Sequence, residues 1–366
     1  MKKLVGSLTA LITASIEAKR TSGKGMLSQL VEISRLRRPP NCVSPSEYYD
    51  FNLSDNQLDW AAKSSYLGWR SPVITDLQNP AWHALANDKL NFYGLMTGLG
   101  FQVPHLYAIY SQSRRFFGNT PVFSDTDSLA DFLRNRCPYP FYGKPADGAY
   151  GAGNILCTAY IPESDSLCMP SGSQISIEAF IKDHLIRSRN GYLFQQVMEA
   201  STGMTELWGN RLSTVRIVVA LCEDGPRIML CEWKIATGSN IVDNFHDGKT
   251  GNLLALADTS NGCIQRIALP NGGITSESSV AHPDTGVQLM GTAVPNWNAM
   301  RELVLTAARA FPGLRLQGWD IADTTTGLIP LEVNLVTGRT AYNHQQFMQK
   351  GLFDESVKST WQALRN

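Results

Sequence analysis

Leu316-Gln-Gly-Trp-Asp-Ile-Ala322 runs through Asp323-Thr-Thr-Thr-Gly327 into Leu328-Ile-Pro-Leu-Glu-Val-Asn334. Two short apolar runs around a compact polar loop predict a hairpin. With its centre near residue 326, Asp320 stands directly across the ladder from Glu332. Glu332 and Asn334 are two apart and therefore share a sheet face. Three oxygen-bearing side chains thus converge among apolar strand residues. Paired carboxylates repel unless a proton or cation neutralises them. Hard oxygen ligands suit Mg²⁺ or Mn²⁺, shared with substrate phosphates. A solvent-facing polar stripe is the plainer reading, and the apolar neighbours weigh against it.

A second stretch, Tyr139-Pro-Phe-Tyr-Gly-Lys-Pro-Ala-Asp-Gly-Ala-Tyr-Gly-Ala-Gly153, makes the opposite provision. A strand delivers Lys144, and a loop with Gly148, Gly151 and Gly153 follows. Glycines at that density let backbone amides turn toward an anion, and the lysine adds a compact positive charge. The loop alone would also fit a simple bend, and it lacks the G-K-[ST] of a Walker A loop. One stretch offers a cation and amides for phosphate, the other carboxylates for a metal that phosphate would share. Together they specify a Mg-nucleotide.

The remaining sequence bounds the alternatives. At 366 residues the chain suffices for two or three lobes with a sizeable core. Lys+Arg and Asp+Glu both total 32, so no global field draws it to nucleic acid or an anionic membrane. Seven cysteines are scattered without a C-x-x-C pair, which fits neither a disulfide framework nor a zinc site and points to a reducing, cytoplasmic setting. No apolar run approaches a membrane span. Leu4, Val5, Leu8, Leu11, Ile12 and Ile16 follow helical spacing, which predicts an amphipathic helix docked on the body rather than a cleaved leader. Leu27, Leu30, Val31, Ile33 and Leu36 predict a second helix with one buried face, stopped by Pro39-Pro40. Helices are expected over 87–97, capped by Asn87 or Asp88, within 121–136, and over 297–311. Strands are expected at 101–109, 139–145, 154–160, 174–180, 192–198, 212–222, 226–236, 314–322 and 328–334. That order predicts an α+β protein with largely antiparallel sheets.

K-P-x-x-G-x-x-G-x-G from Lys144, followed much later by G-x-D-I at Gly318 and L-E-V-N at Leu331, resembles the ATP-grasp superfamily. More narrowly, Ser213-Thr-Val-Arg-Ile-Val218, Val242-Asp-Asn-Phe245 and Gly318-Trp-Asp-Ile321 resemble its sugar-transfer-associated branch. The similarity covers roughly residues 87–336. It implies two α/β lobes clamping ATP, 86–190 and 191–366, behind a helical N-terminal extension, 1–85. It also implies that Lys89 and Lys144 contact the α- and β-phosphates, with Gly148, Gly151 and Gly153 beside them. The backbone of Gln196, Val197 and Met198 would meet adenine, and Glu199 or Glu206 the ribose. Arg216, Lys234 and Asn244, with His246 nearby, would line the transferred phosphate. Asp320, Glu332 and Asn334 would hold Mg²⁺. The implied activity is amide formation between a small-molecule carboxylate and an amine through an acyl phosphate. A kinase on the same fold, or a non-catalytic nucleotide-binding partner of a transferase, is the alternative. Two motifs depart from the pattern. Leu335-Val-Thr-Gly-Arg339 replaces the usual proline-glycine pair, and Ser201 stands near where the branch carries a histidine. Arg339 is a candidate carboxylate clamp, and the oligomeric state is not legible.

Overall fold

A computed structural model describes residues 2–147, 151–185, 190–270, 274–277 and 280–365. Its strands form three sheets. The largest has seven strands in the order Ile274–Thr275, Ile264–Ala268, Leu253–Ala257, Gly225–Ile235, Thr214–Cys222, Leu316–Thr324 and Gly327–Leu335. Every neighbouring pair in it is antiparallel. A five-stranded sheet orders Val122–Phe123, Leu106–Tyr110, Tyr192–Gln196, Phe141–Pro145 and Ile155–Cys157, with one parallel pair at its edge. Ala159–Ile161, Ser166–Cys168 and Gln174–Ser176 make the third. The α+β expectation therefore holds.

Strand alternation divides the large sheet into two unlike faces. Val215, Ile217, Val219, Cys231, Trp233, Trp319, Ile321 and Val333 are buried in one core with Met300, Val304 and Ala307 of the helix Trp297–Ala308. Gln317, buried with them, donates to the carbonyls of Ala308, Phe311 and Leu314 and so satisfies the end of that helix. The opposite face carries Val218, Ala220, Leu230 and Leu316 at one end, beneath Leu67, Val73, Ile74 and Leu77. Its other end carries the charged residues of the cleft.

The N-terminal segment is tied to that second face. Gln78 donates through Nε2 to the Leu316 carbonyl at 2.6 Å. The Leu67 amide and carbonyl both bond the Gln345 side chain, at 2.8 and 2.7 Å. Gly338 opens the helix Gly338–Met348 against Trp69, and a Cβ there would lie 2.1 Å from the Trp69 carbonyl oxygen. The N-terminal segment therefore buttresses the helix that walls one side of the cleft.

Several local expectations are corrected. The strand expected from Phe101 begins at Leu106. Residues 154–160 break into two strands in different sheets, and 177–180 turn into a short helix capped by Ser176. Leu253–Ala257 and Ile264–Ala268, not expected as strands, pair with each other and with their neighbours in the large sheet. Asp88 caps the helix Lys89–Gly98 by accepting from the Leu90 and Asn91 amides, which settles the cap and sets Lys89 in the first turn. The two N-terminal helices form, as Lys2–Ser22 and Met26–Leu36, but of their expected apolar faces only Ile33 and Leu36 are buried and Leu11 is half-buried, while the side chains of Leu4 and Val5 lie outside those described. Leu8, Ile12, Ile16, Leu27, Leu30 and Val31 are exposed, whereas Ser15, Ala18, Gln29, Ile33 and Leu36 are buried. Helical spacing identified an apolar stripe; it carries no information about which neighbour covers it.

Candidate functional site

Register sets four charged side chains in one row across four adjacent strands of the large sheet. Glu232 pairs with Arg216, Arg216 with Asp320, and Asp320 with Glu332. Lys234 and Asn334 stand two residues along their own strands, on the same face. Pro330, which cannot donate to a ladder, is tolerated because its strand is the sheet edge. The ladder shifts between Asp320 and Ile321, which pairs with Pro330.

Asp320 is the most heavily compensated member. Arg216 forks onto it, Nε to Oδ1 at 2.5 Å and Nη2 to Oδ2 at 2.7 Å, and Lys234 donates to Oδ2 at 2.8 Å. Burial alone would raise the Asp320 carboxyl, but the charges and hydrogen bonds of Arg216 and Lys234 hold it well below the carboxylate range. Burial likewise opposes the charge on Arg216, and Asp320 more than reverses the effect. Glu332 is held lightly. Lys89 Nζ lies 3.8 Å from Oε2, and Asn334 donates to Oε1 at 3.1 Å. At the other end of the row Glu232 meets His344 Nδ1 at 2.5 Å. His344 Nε2 is buried and has no hydrogen-bond partner among the described residues.

Lys144 reaches this face from the five-stranded sheet. It donates to the Tyr93 hydroxyl at 2.9 Å, which in turn donates to Gln195 Oε1 at 3.1 Å. Burial pushes Lys144 down to about 8, even though Glu332 and Asp320 favour its charge. Lys89 is lowered by burial too, with Glu332 opposing. Asp243 is half-buried and accepts from the Thr214 amide at 2.7 Å and the Thr214 hydroxyl at 2.5 Å. Desolvation raises it, against the pull of Lys234.

These groups line one cleft of about 1010 Å³ between the two sheets, a volume suited to a nucleotide and a second small molecule. Lys89, Lys144, Arg211, Arg216, Lys234 and Arg339 line it against Glu232, Asp243, Asp320 and Glu332. A chain with no net charge therefore concentrates cations where an anion would bind.

Of the residues singled out in the sequence, Lys89, Lys144, Gly151, Val197, Met198, Arg216, Lys234, Asn244, Asp320, Glu332 and Asn334 all line this cleft, as do His246 and Arg339. Gly151 adopts φ +71°, and a Cβ on it would meet Val242 and Asn244 at 3.3 and 3.4 Å, so the glycine loop touches the loop across the cleft. Gly153 is set back, its carbonyl accepting from the Tyr192 hydroxyl. Gln196 turns away, accepting from the His105 amide, and with Glu199 lines a smaller hollow of about 330 Å³ beside Tyr107 and Thr324. Gln195, one residue earlier on the strand, lines the cleft instead. Glu206 is exposed on the helix Thr202–Trp208. Gly148 lies outside the described residues. Asp243, Glu232 and the His344 contact were missed as a set. Strand parity with Lys234 could have flagged Glu232, but the partners 112 residues apart could not be read.

The acidic residues accommodate a magnesium ion. Mg²⁺ takes a few oxygen ligands and keeps waters and phosphate oxygens for the rest. The Glu332 carboxylate and the Asn334 amide oxygen are the best placed to contribute, because both Asp320 oxygens already accept from cations. Among the described residues no group of three His, Cys, Asp or Glu side chains is arranged for a metal. The set therefore fits a phosphate-shared ion, not an all-protein cage.

A lysine-bearing strand and glycine loop on one sheet, facing an acidic antiparallel hairpin on another, define the ATP-grasp fold. Residues 73–359 match the family model for sugar-transfer associated ATP-grasp proteins, and the chain belongs to that family. Among solved structures it is similar to the VanG D-Ala:D-Ser ligase from Enterococcus faecalis, at 12% identity and a TM-score of 0.41 over 79% of this chain and 63% of that one. It is also similar to an L-amino acid ligase from Bacillus licheniformis, at 11% identity and a TM-score of 0.38 over 76% and 50%. The chain thus spans about half to two thirds of the length of these proteins. No curated protein matches it.

Proposed function

We propose that the protein is an ATP-dependent ligase joining a small-molecule carboxylate to an amine. The observation that carries this reading is the meeting of Lys89, Lys144, Arg216 and Lys234 with the Asp320–Glu332 pair in one cleft, from elements far apart in sequence. In this reading Lys89 and Lys144 hold the α- and β-phosphates of ATP, and the Val197–Met198 backbone meets the adenine. Glu332 and Asn334, with Asp320 behind them, hold Mg²⁺, which when bound screens the repulsion between phosphates and the incoming carboxylate.

The substrate carboxylate oxygen attacks the γ-phosphorus, and ADP leaves as the acyl phosphate forms. Arg216 and Lys234 are pre-oriented by Asp320, so they can stabilise the charge shifting onto the transferred group with no reorganisation. The neutral amine, its ammonium proton having passed to solvent, attacks the acyl carbon; the C–O bond to phosphate breaks, and the remaining proton lost from nitrogen leaves with inorganic phosphate. No protein nucleophile is needed, and positioning of two mutually repelling anions is the main contribution. Arg339, Asn343 and His344 line the end of the cleft walled by the helix Gly338–Met348, where the second substrate would sit. The unsatisfied Nε2 of His344 offers that substrate a hydrogen-bond partner.

The test is a panel of carboxylates and amines with ADP, free phosphate and product mass all measured. A ligase yields equal ADP and phosphate with an amide product. ADP without phosphate, together with a phosphorylated product, would convert the reading to a kinase. Turnover retained in Lys144→Ala would remove the basis for both.

A further inference from the structure

Among the described residues fourteen large hydrophobic side chains are exposed, and seven of them fall between Leu8 and Val31. They ride on the helices Lys2–Ser22 and Met26–Leu36. That pair turns a small, partly polar face inward. Ser15 and Gln29 are buried and bonded to each other, Oγ to Oε1 at 2.9 Å and Nε2 to the Ser15 carbonyl at 3.2 Å. Leu8, Ile12 and Ile16 recur every fourth residue and so form one stripe of the first helix. Leu27, Leu30 and Val31 stand on the side of the second helix away from Gln29, Ile33 and Leu36. Leu27 is 80% exposed and Leu8 and Leu30 are 61% exposed. A patch this concentrated marks a surface that meets something.

Charge identifies the partner. Residues 1–40 hold Lys2, Lys3, Lys19, Arg20, Lys24, Arg35, Arg37 and Arg38 against only Glu17 and Glu32, a net charge of +6 in a chain whose total is zero. Arg35, Arg37 and Arg38 gather where the second helix ends, and Lys19 and Arg20 where the first ends. Neither helix is long and apolar enough to cross a bilayer. Cations flanking exposed apolar stripes on non-spanning helices match the headgroup–acyl boundary of an anionic membrane, where lipid phosphates and carbon chains lie within a side chain of each other. We propose that this helical pair docks the protein on an anionic lipid surface. The inference stands apart from the ligase reading, since none of these residues lines the cleft.

The experiment is co-sedimentation of the full chain with vesicles of phosphatidylcholine alone and of phosphatidylcholine with phosphatidylglycerol. Binding is expected to the anionic vesicles, weakening as salt rises, and not to phosphatidylcholine alone. The double variants Leu27→Asp/Leu30→Asp and Arg37→Glu/Arg38→Glu should each weaken it about tenfold or more. Both should keep the wild-type far-UV spectrum and nucleotide affinity, which separates lost docking from misfolding. Absent binding, or equal binding to both vesicles, overturns the proposal. So does a dimer in light scattering that Leu27→Asp/Leu30→Asp dissolves while vesicle binding is absent, because the patch would then be a self-interface.

Discussion

Asp320 and Glu332 face each other across one ladder, yet their surroundings are opposed. Asp320 accepts three charge-assisted hydrogen bonds from Arg216 and Lys234 and is almost wholly buried. Glu332 has one amide contact, a lysine at 3.8 Å, and a side chain 28% exposed. The first carboxylate is neutralised by the protein before any ligand arrives, and the second keeps its charge for one. A buried charge must be compensated permanently, or folding fails. A carboxylate meant for a metal must be compensated only in part. The difference supports the proposed division, in which Asp320 organises the cations and Glu332 engages the ligand.

The largest effect should come from emptying the compensated end. Asp320→Asn leaves Arg216 and Lys234 buried without their shared anion and is expected to cost about 3–5 kcal/mol, read from denaturant unfolding. A loss under about 1 kcal/mol would refute the division of roles. Glu332→Gln, at the open end, should change stability by less than about 1 kcal/mol while lowering Mg²⁺-dependent ATP turnover about 100-fold. Equal losses of stability in both variants would erase the contrast.

Lys144 tests the comparison through pH. Its charged form is penalised in the nucleotide-free protein, fully below about pH 8, and the penalty is relieved as pH climbs from there toward the ordinary lysine range. A bound phosphate favours the charged form, so nucleotide binding at pH 8–9 should take up a proton. Affinity should also fall as pH rises above about 8. Calorimetry in buffers of different ionisation enthalpy measures the uptake, and Lys144→Arg should abolish it; a pH-independent wild type would contradict the assignment. The smallest effect belongs to the surface pair Arg134–Asp165. It forms two hydrogen bonds of 2.7 Å but is 40% and 45% exposed, so Arg134→Ala should cost no more than about 0.5 kcal/mol. A loss matching that of Asp320→Asn would mean that bond geometry, not burial, governs ion pairs here.

Much of the site was legible in order along the chain. The hairpin and its acidic pair were expected from turn symmetry, but the turn that pairs Thr324 with Gly327 would by itself put Asp320 across from Leu331, and the ladder shift between Asp320 and Ile321 is what brings Glu332 opposite. Strand parity put Asn334 beside Glu332. The cap of the helix Lys89–Gly98 was readable as one of two residues, Asn87 or Asp88, since short polar side chains satisfy the first amides of a helix. The N-terminal helices were readable as helices, but the face they bury was not. Leu27 and Gln29 differ only in what lies beside them in space, and an apolar period is equally a core face or a docking face.

Local pattern along the sequence thus determined the hairpin, the acidic residues on it, and the lysine strand with its glycines. These depend on periodicity and turn chemistry within a few residues. Only the tertiary structure decided that Arg216 and Lys234 close on Asp320, that His344 reaches Glu232, and that Gln195 rather than Gln196 faces the cleft. It likewise left the stripes at Leu8–Ile16 and Leu27–Val31 bare. Such pairings join segments tens to hundreds of residues apart. Their geometry is set by which sheet faces meet, and no local preference of the chain encodes that.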